Sequence, residues 1–183
     1  MTPNVDLGPE QALWHLRIAL NVAALSCRGP DEAILVANYT RFLDTNRAAI
    51  TRAERWVIAD QARLTGTNGV PARDALSTRL YNYFAQPPVK TEFCSRATAI
   101  MAFAAAEPTT TMMTFATARL PEIDQPFVDF YNAYARYQAN YAAWRAQQPA
   151  SVLPAYMPPP TVQPYPLPPT SVPPTQLTST AGG

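Results

Sequence analysis

The sequence contains little of what enzymes commonly place at a reaction centre. It has one histidine, two cysteines and six glycines in 183 residues. The histidine, His15, stands twelve residues from the nearer cysteine, Cys27, and no CxxC pair occurs, so a metal-ligand spacing is missing. Neither GxGxxG nor GxxxxGKS/T occurs, which excludes the usual phosphate-binding loops. From the sequence we therefore predict no catalytic, cofactor-binding or metal-binding residue.

An excess of charge of one sign is also missing. The chain carries 14 basic and 13 acidic side chains, for a formal net charge of +1. Proteins that bind nucleic acid or an anionic membrane through phosphates concentrate lysine and arginine on one surface. Here the basic side chains between Arg41 and Arg63 alternate with Asp44, Glu54 and Asp60, which is typical of a solvated helix face. We expect no nucleic-acid partner.

Long apolar runs are absent as well. No stretch reaches the ~18 consecutive apolar residues that a membrane-spanning helix needs, so no transmembrane segment is predicted. The first residues, MTPNVDLGPEQ, include neither a basic n-region nor an apolar h-region, so no signal peptide is predicted in them. Two interpretations remain open: a cytoplasmic protein, or the mature form of an exported chain.

Proline, by contrast, is abundant and unevenly placed. Of the 20 prolines, 11 lie between Pro149 and Pro174, and no charged residue follows Arg145. This predicts two parts, a helical domain over residues 1–147 and an extended proline-rich arm over residues 148–183. Proline favours the polyproline II conformation, and apolar side chains between the prolines suit docking along a hydrophobic groove.

The front part shows helical periodicity. Pro9 and Glu10 open a first helix that Gly29 and Pro30 end. Its inward stripe is predicted to consist of Leu13, Leu16, Leu20, Ala23 and Cys27. His15 falls off this stripe, so we expect it at the surface. No alternation of period two occurs over a useful length, and we predict an all-α bundle of five or six helices with the proline-rich arm extending from it.

Further helices follow from the same pattern. Asp31 caps a segment whose apolar positions continue to Leu64; it forms one helix of about 30 residues or breaks near Asn46, and the sequence leaves both open. The other predicted elements are a third helix after Pro71 that Pro87 and Pro88 stop, a fourth from about Val89 to Ala106, a short segment from Thr109 to Arg119, and a last helix from about Pro126.

The last helix carries an aromatic seam. Phe127, Phe130, Tyr134, Tyr137, Tyr141 and Trp144 follow one another at spacings of 3, 4, 3, 4 and 3. Such regular spacing favours rings that fill the bundle core. Tyrosine and tryptophan are nevertheless amphipathic and common where a surface meets a partner. We therefore predict partner-binding residues in the second half of this helix and in the arm: Tyr137, Tyr141, Trp144, Tyr156, Tyr165 and Leu167.

Two groups of carboxylates are candidates for acid/base catalysis. Asp31 and Glu32 stand at a helix start, and Glu122, Asp124 and Asp129 flank the start of the last predicted helix. Acidic side chains at such positions complement the helix dipole, and this interpretation is preferred for both groups. Acid/base work in a cleft between helices is the alternative.

The two cysteines allow two interpretations. Both Cys27 and Cys94 are predicted on apolar helix faces, where buried free thiols are common and inert. They could equally form a disulfide that joins the first helix to the fourth, and an even number of cysteines is usual in exported chains. The residues alone leave both possibilities open.

Two stretches carry a resemblance to known proteins: WHLRIALNVAALSC, from Trp14 to Cys27, and RLYNYFAQPPVKTEFC, from Arg79 to Cys94. They resemble segments of an uncharacterised family of small exported all-helical proteins from alphaproteobacteria. The resemblance covers roughly Trp14 to Arg145 and leaves out the arm. It implies a Cys27–Cys94 disulfide and a location in the periplasm or outside the cell, and it implies no activity.

Together these features predict a non-enzymatic, exported helical interaction protein whose proline-rich arm engages a protein partner or another copy of the chain. One alternative is a structural subunit of a filament or envelope assembly, in which the arm wraps a neighbouring subunit. Another is an enzyme with an acid cluster in an interhelical cleft. The predicted location is periplasmic or extracellular, with the cytoplasm as the alternative.

Overall fold

The structure, a computed structural model, describes residues 2–148, and in this range it is all-helical without strands. The prediction of an all-α fold is confirmed, whereas the arm from residue 149 onwards lies outside the described residues. The elements are α1 (Pro9–Ser26), α2 (Glu32–Thr45), α3 (Arg47–Thr65), α4 (Gly69–Phe84), a 3-10 turn (Pro87–Val89), α5 (Lys90–Ala104) and α6 (Met112–Ala146).

Contacts divide the chain into two units, Met1–Tyr141 and Ala142–Gly183. The first unit contains α1 to α5 and most of α6, and the hydrophobic core lies entirely within it. Of the second unit, the structure describes only residues 142–148, which form the last turn of α6 and the two residues after it.

The first helix is the centre of the bundle. α1 packs against α2, α3, α4 and α5, and 11 of its 18 residues are buried. The predicted inward stripe is buried, but so are positions around it, including Trp14 and His15. The prediction of a surface location for His15 is therefore wrong. Periodicity identifies a single inward face, whereas a helix surrounded by four others buries residues all round.

The long second segment breaks at Asn46. This residue is fully buried, and it ends α2 and begins α3. Its Nδ2 donates a hydrogen bond to the carbonyl oxygen of Glu107 at 3.3 Å, and Thr109 Oγ1 donates to the carbonyl of Thr45 at 2.7 Å. The α5–α6 connection thus supplies one acceptor and one donor that stabilise the break at Asn46. Of the two alternatives that the sequence leaves open, the structure therefore has two helices.

The helices α3 and α4 approach each other at a glycine. α4 begins at Gly69, two residues before the predicted start, and the Asn68 side chain caps it by accepting a hydrogen bond from the Val70 amide at 2.9 Å. A Cβ atom on Gly69 would collide with the carbonyl oxygen of Ile58 in α3. This contact is backbone against backbone, so only glycine fits here without a shift of one helix.

The last helix is longer than predicted. α6 starts at Met112 and runs without interruption through Pro121 and Pro126, so the predicted short segment and last helix are one element. A proline inside a helix removes one backbone hydrogen bond and costs about 3 kcal/mol. An apolar stripe at spacings of 4, 4, 3 and 4 is buried across both prolines and offsets this cost: Met112, Ala116, Leu120, Ile123 and Phe127.

A disulfide joins the end of α1 to α5. Cys27 is the C-cap of α1, Cys94 lies in the second turn of α5, and their Cα atoms are 5.6 Å apart. The bond closes a loop across 67 sequence positions. In the chain-entropy account, a loop of that length stabilises the folded state by about 4 kcal/mol.

Replacement of Gly69 by alanine tests the close contact of α3 and α4. We expect Gly69→Ala to lower the free energy of unfolding by about 2 kcal/mol or more, because the new methyl group forces two backbones apart. Urea unfolding followed by circular dichroism measures the effect. Gly8→Ala is the matched control, since nothing lies within 4 Å of its added Cβ, and only a capping loss below about 1 kcal/mol is expected. Equal effects of the two variants would contradict this packing.

Replacement of Cys27 tests the disulfide. Under oxidising conditions, Cys27→Ala should lower the free energy of unfolding by up to about 4 kcal/mol, because the unfolded chain regains the entropy of the open loop. With excess dithiothreitol, the variant and the native protein should unfold at similar urea concentrations. An unchanged midpoint in oxidising buffer would contradict the bond.

Candidate functional site

The aromatic seam leaves the core within α6. Phe127 is fully buried, while Phe130 and Tyr131 are half-buried and pack against the core. Beyond them Tyr134, Tyr137 and Tyr141 are 52%, 61% and 39% exposed. The expectation that the whole seam fills the core is therefore wrong beyond Phe130. We call Phe130, Tyr134, Tyr137 and Tyr141 the aromatic face of α6.

The base of this face is held firmly. Phe127 contacts the rings of Tyr83, Phe84 and Phe93, with centroid distances of 4.6, 5.6 and 5.6 Å. The hydroxyl of Tyr131 donates a hydrogen bond to Gln86 Oε1 at 2.8 Å. These contacts connect α6 to α4, α5 and the turn between them, so the direction of the helix is fixed where the aromatic face begins.

Along the face the rings form two stacked pairs. The centroids of Phe130 and Tyr134 are 6.4 Å apart with planes at 12°, and those of Tyr137 and Tyr141 are 6.1 Å apart at 19°. Each pair is spaced four residues apart, so the rings lie on one side of the helix. Between Asn132 and Asn140, the positions off this side hold alanine or polar residues. The result is a one-sided surface of aromatic rings with hydroxyl groups at its edge.

The predicted partner-binding residues fall into two groups. Tyr137 and Tyr141 belong to the aromatic face, and Trp144, at the described end of α6, is 51% exposed. Tyr156, Tyr165 and Leu167 lie outside the described residues. The structure thus places the three described residues at the surface of one helix.

A groove of about 350 Å³ borders the disulfide. Cys27 and Cys94 line it together with polar residues that include Arg28 and Glu32, which form an ion pair at 2.9 Å. Both partners of this pair are largely exposed, so it contributes little to stability. Because the two cysteines line the groove, a reductant can approach the bond from this side.

A buried polar cluster connects the N-terminal segment to the core. Asp124 in α6 is 4% exposed and accepts hydrogen bonds from Thr2 Oγ1 at 2.7 Å, Asn4 Nδ2 at 2.5 Å and the Tyr83 hydroxyl at 2.8 Å. Asn4 Oδ1 in turn lies 2.8 Å from His15 Nδ1. Three segments distant in sequence therefore meet at one carboxylate, and its lone pairs are satisfied as burial requires.

Sequence reasoning missed this cluster. The sequence predicts Asp124 as an acid that complements the dipole at a helix start, yet it lies between Leu120 and Phe127 at spacings of 4 and 3, which is the buried stripe of α6. This spacing indicates that Asp124 is buried, but the prediction that the last helix begins near Pro126 places Asp124 outside that helix. The remaining members of the candidate acid groups, Asp31, Glu32, Glu122 and Asp129, are exposed or half-buried.

The hydrogen bonds determine the protonation of the cluster. Asn4 Nδ2 donates to Asp124, so Asn4 Oδ1 accepts from His15 Nδ1–H, and His15 is the neutral tautomer. Its Nε2 is buried and has no hydrogen-bond partner among the described residues. Burial lowers the pKa of His15 from 6.5 to about 4. Burial and the adjacent Asp124 raise the pKa of the Tyr83 hydroxyl above its ordinary value, so it stays protonated and donates.

This arrangement suits a structural role better than proton transfer to a substrate. His15 is 2% exposed, and the hydrogen bond of its ring joins it to Asn4 of the same cluster. Within residues 2–148, no group of three or more histidine, cysteine, aspartate or glutamate side chains is placed to hold a metal ion. None of the helices in the same range combines the length and hydropathy needed to cross a bilayer.

Comparisons of the chain with models of known protein families, with curated proteins and with solved structures found no match. Its function must therefore be inferred from its own residues.

The polar cluster predicts an acid-sensitive fold. The pKa of His15 is about 4 when folded and 6.5 when unfolded, so between these values the unfolded chain binds one more proton. The free energy of unfolding should therefore fall as the pH drops from about 6.5 to 4, by up to about 3 kcal/mol from this residue. His15→Gln, which cannot titrate, should show a smaller fall, measured by urea unfolding across this range. Parallel pH profiles for the two proteins would contradict the buried neutral histidine.

Proposed function

We propose that this chain is a non-enzymatic interaction protein, in which a disulfide-closed helical bundle presents an aromatic helix and a proline-rich arm to a protein partner. The observation that carries the proposal is the exposure of Tyr134 and Tyr137, at 52% and 61%. Large aromatic side chains on the outside of a folded domain are typical of binding surfaces, where tyrosine is enriched.

The composition of the arm supports the same function. Its apolar residues, such as Tyr156, Tyr165 and Leu167, alternate with prolines, and it has no charge. Polyproline II segments lose little backbone entropy when they bind, and side chains between the prolines act as anchors in aromatic-lined grooves. We expect the arm to bind in this extended form, with these three side chains in pockets of the partner.

The packing of the bundle and its disulfide suit a rigid support from which the arm binds a partner. α1 packs against four helices, and the disulfide connects its end to α5. A disulfide persists in oxidising compartments and is rare in the cytosol, which supports a periplasmic or extracellular location. In this proposal the bundle holds its shape outside the cytoplasm while the arm binds.

The proposal is tested by photo-crosslinking from the arm in cells of the native organism. A benzophenone amino acid is incorporated at Tyr156 or Tyr165 of the full-length protein, and the cells are irradiated. We expect the same discrete adduct from both positions, identifiable by mass spectrometry. Thr178, beyond the last proline of the arm, is the matched control position and should give little adduct.

A second change makes the test specific. Leu167→Ser in the Tyr165 crosslinking variant should reduce the adduct several-fold, because it removes an apolar anchor from the segment. If neither arm position yields an adduct, or if Thr178 yields an equal amount, the arm is not the binding element.

A further inference from the structure

The aromatic face of α6 has a heptad repeat. Phe130, Tyr134, Tyr137 and Tyr141 are spaced by 4, 3 and 4 residues, which is the alternation of d and a positions in a heptad. A straight α-helix has 3.6 residues per turn, and a seam with a strict 3.5 repeat drifts by about 20° per heptad unless the helix supercoils. Such a repeat is the pattern of a helix that pairs with another helix in a left-handed coiled coil.

The residues beside the seam carry no charge. The flanking positions, equivalent to e and g of a coiled coil, hold Tyr131, Ala133, Gln138 and Asn140. Like charges at these positions oppose the pairing of identical helices, and opposite charges set the choice of partner. Here two identical helices meet without like-charge repulsion, and nothing at these positions selects a different helix.

The spacing of the rings and the uncharged residues beside them indicate which helix covers the aromatic face. We propose that residues 130–141 of α6 pair with the same segment of a second copy of this chain, as a two-helix left-handed coiled coil. This rests on the proposed function and names the partner of the aromatic helix as a second copy of the chain, while the arm binds a different protein. The dimer then displays two arms, which would raise avidity for a partner with repeated sites.

The area available predicts a weak dimer. A buried aromatic side chain removes 150–250 Å² from water, so the exposed parts of Tyr134, Tyr137 and Tyr141 correspond to roughly 300 Å² per copy. Stable complexes bury about 800 Å² per partner. The seam alone therefore supports a reversible association that appears as the concentration of the protein rises.

Sedimentation velocity of the full-length protein at increasing concentration tests this pairing. We expect a monomer–dimer equilibrium that Tyr134→Ala with Tyr137→Ala weakens at least tenfold. Both residues are exposed, so the bundle should keep its helical circular dichroism. Asn132→Ala with Ala139→Ser, on the opposite side of the helix, is the matched control and should leave the equilibrium unchanged.

Engineered cysteines provide a second readout that does not depend on affinity. The native cysteines are bonded to each other, so a new cysteine supplies the reactive thiol. In a parallel pair, Tyr137→Cys should form a disulfide-linked dimer on a non-reducing gel. In an antiparallel pair, a mixture of Tyr134→Cys and Tyr137→Cys should form it instead. Ala139→Cys, on the far side, should crosslink much more slowly in both cases.

Two results would overturn the proposal. One is a protein that stays monomeric at every concentration and whose seam cysteines crosslink no faster than that at position 139. The other is a monomer whose thiol at position 137 resists alkylation, which would assign the face to the C-terminal segment of the same chain. Since the photo-crosslinking test monitors residues in the arm, failure of the coiled coil and failure of the arm are recognised separately.

Discussion

The burial of α1 is the constraint on which the remaining structure depends. Four helices pack around it, and a polar group buried there is costly unless it has a hydrogen-bond partner. Asn4 supplies that partner for His15 Nδ1, whereas Nε2 has none among the described residues, and the N-terminal segment that carries Asn4 also reaches Asp124. The end of the same helix places Cys27 beside Cys94. The polar cluster and the disulfide are therefore both consequences of a central helix.

One stripe of apolar and aromatic residues runs along α6, and it is buried in its first part and exposed in its second. From Met112 to Phe127 its inward positions are aliphatic or phenylalanine and are buried. From Tyr134 to Tyr141 the seam positions are tyrosine, and they are exposed. The spacing does not change at this point, but the residue type does, because tyrosine tolerates contact with water through its hydroxyl group. The change from phenylalanine to tyrosine marks in the sequence where the bundle ends.

Local patterns predicted much of this fold, and non-local contacts account for what they missed. The all-helical class and the helix ends before Gly29 and Pro87 follow from apolar spacing and from glycine and proline, which act within a few residues. The burial of Asp124 depends on partners 120 and 41 positions away in the sequence, Asn4 and Tyr83, and no local pattern contains them. Likewise Pro126 has the local character of a helix start, and only the packing of the stripe around it keeps α6 continuous. For the candidate site, spacing predicted that the rings share one side, but not which of them the bundle would cover.

In the part of the chain that the structure describes, Tyr134 and Tyr137 of α6 are exposed and lie outside the hydrophobic core. An isolated helix shorter than about 12–15 residues is marginal in water, and tyrosine is only a moderate helix former. The two stacked ring pairs at a spacing of four residues supply about 0.2–0.5 kcal/mol each, which does not replace a packed core. The buried aromatic cluster of Phe127 with Tyr83, Phe84 and Phe93 includes neither Tyr134 nor Tyr137. This cluster therefore does not account for the two exposed tyrosines, whereas a helix packed against them would bury their rings.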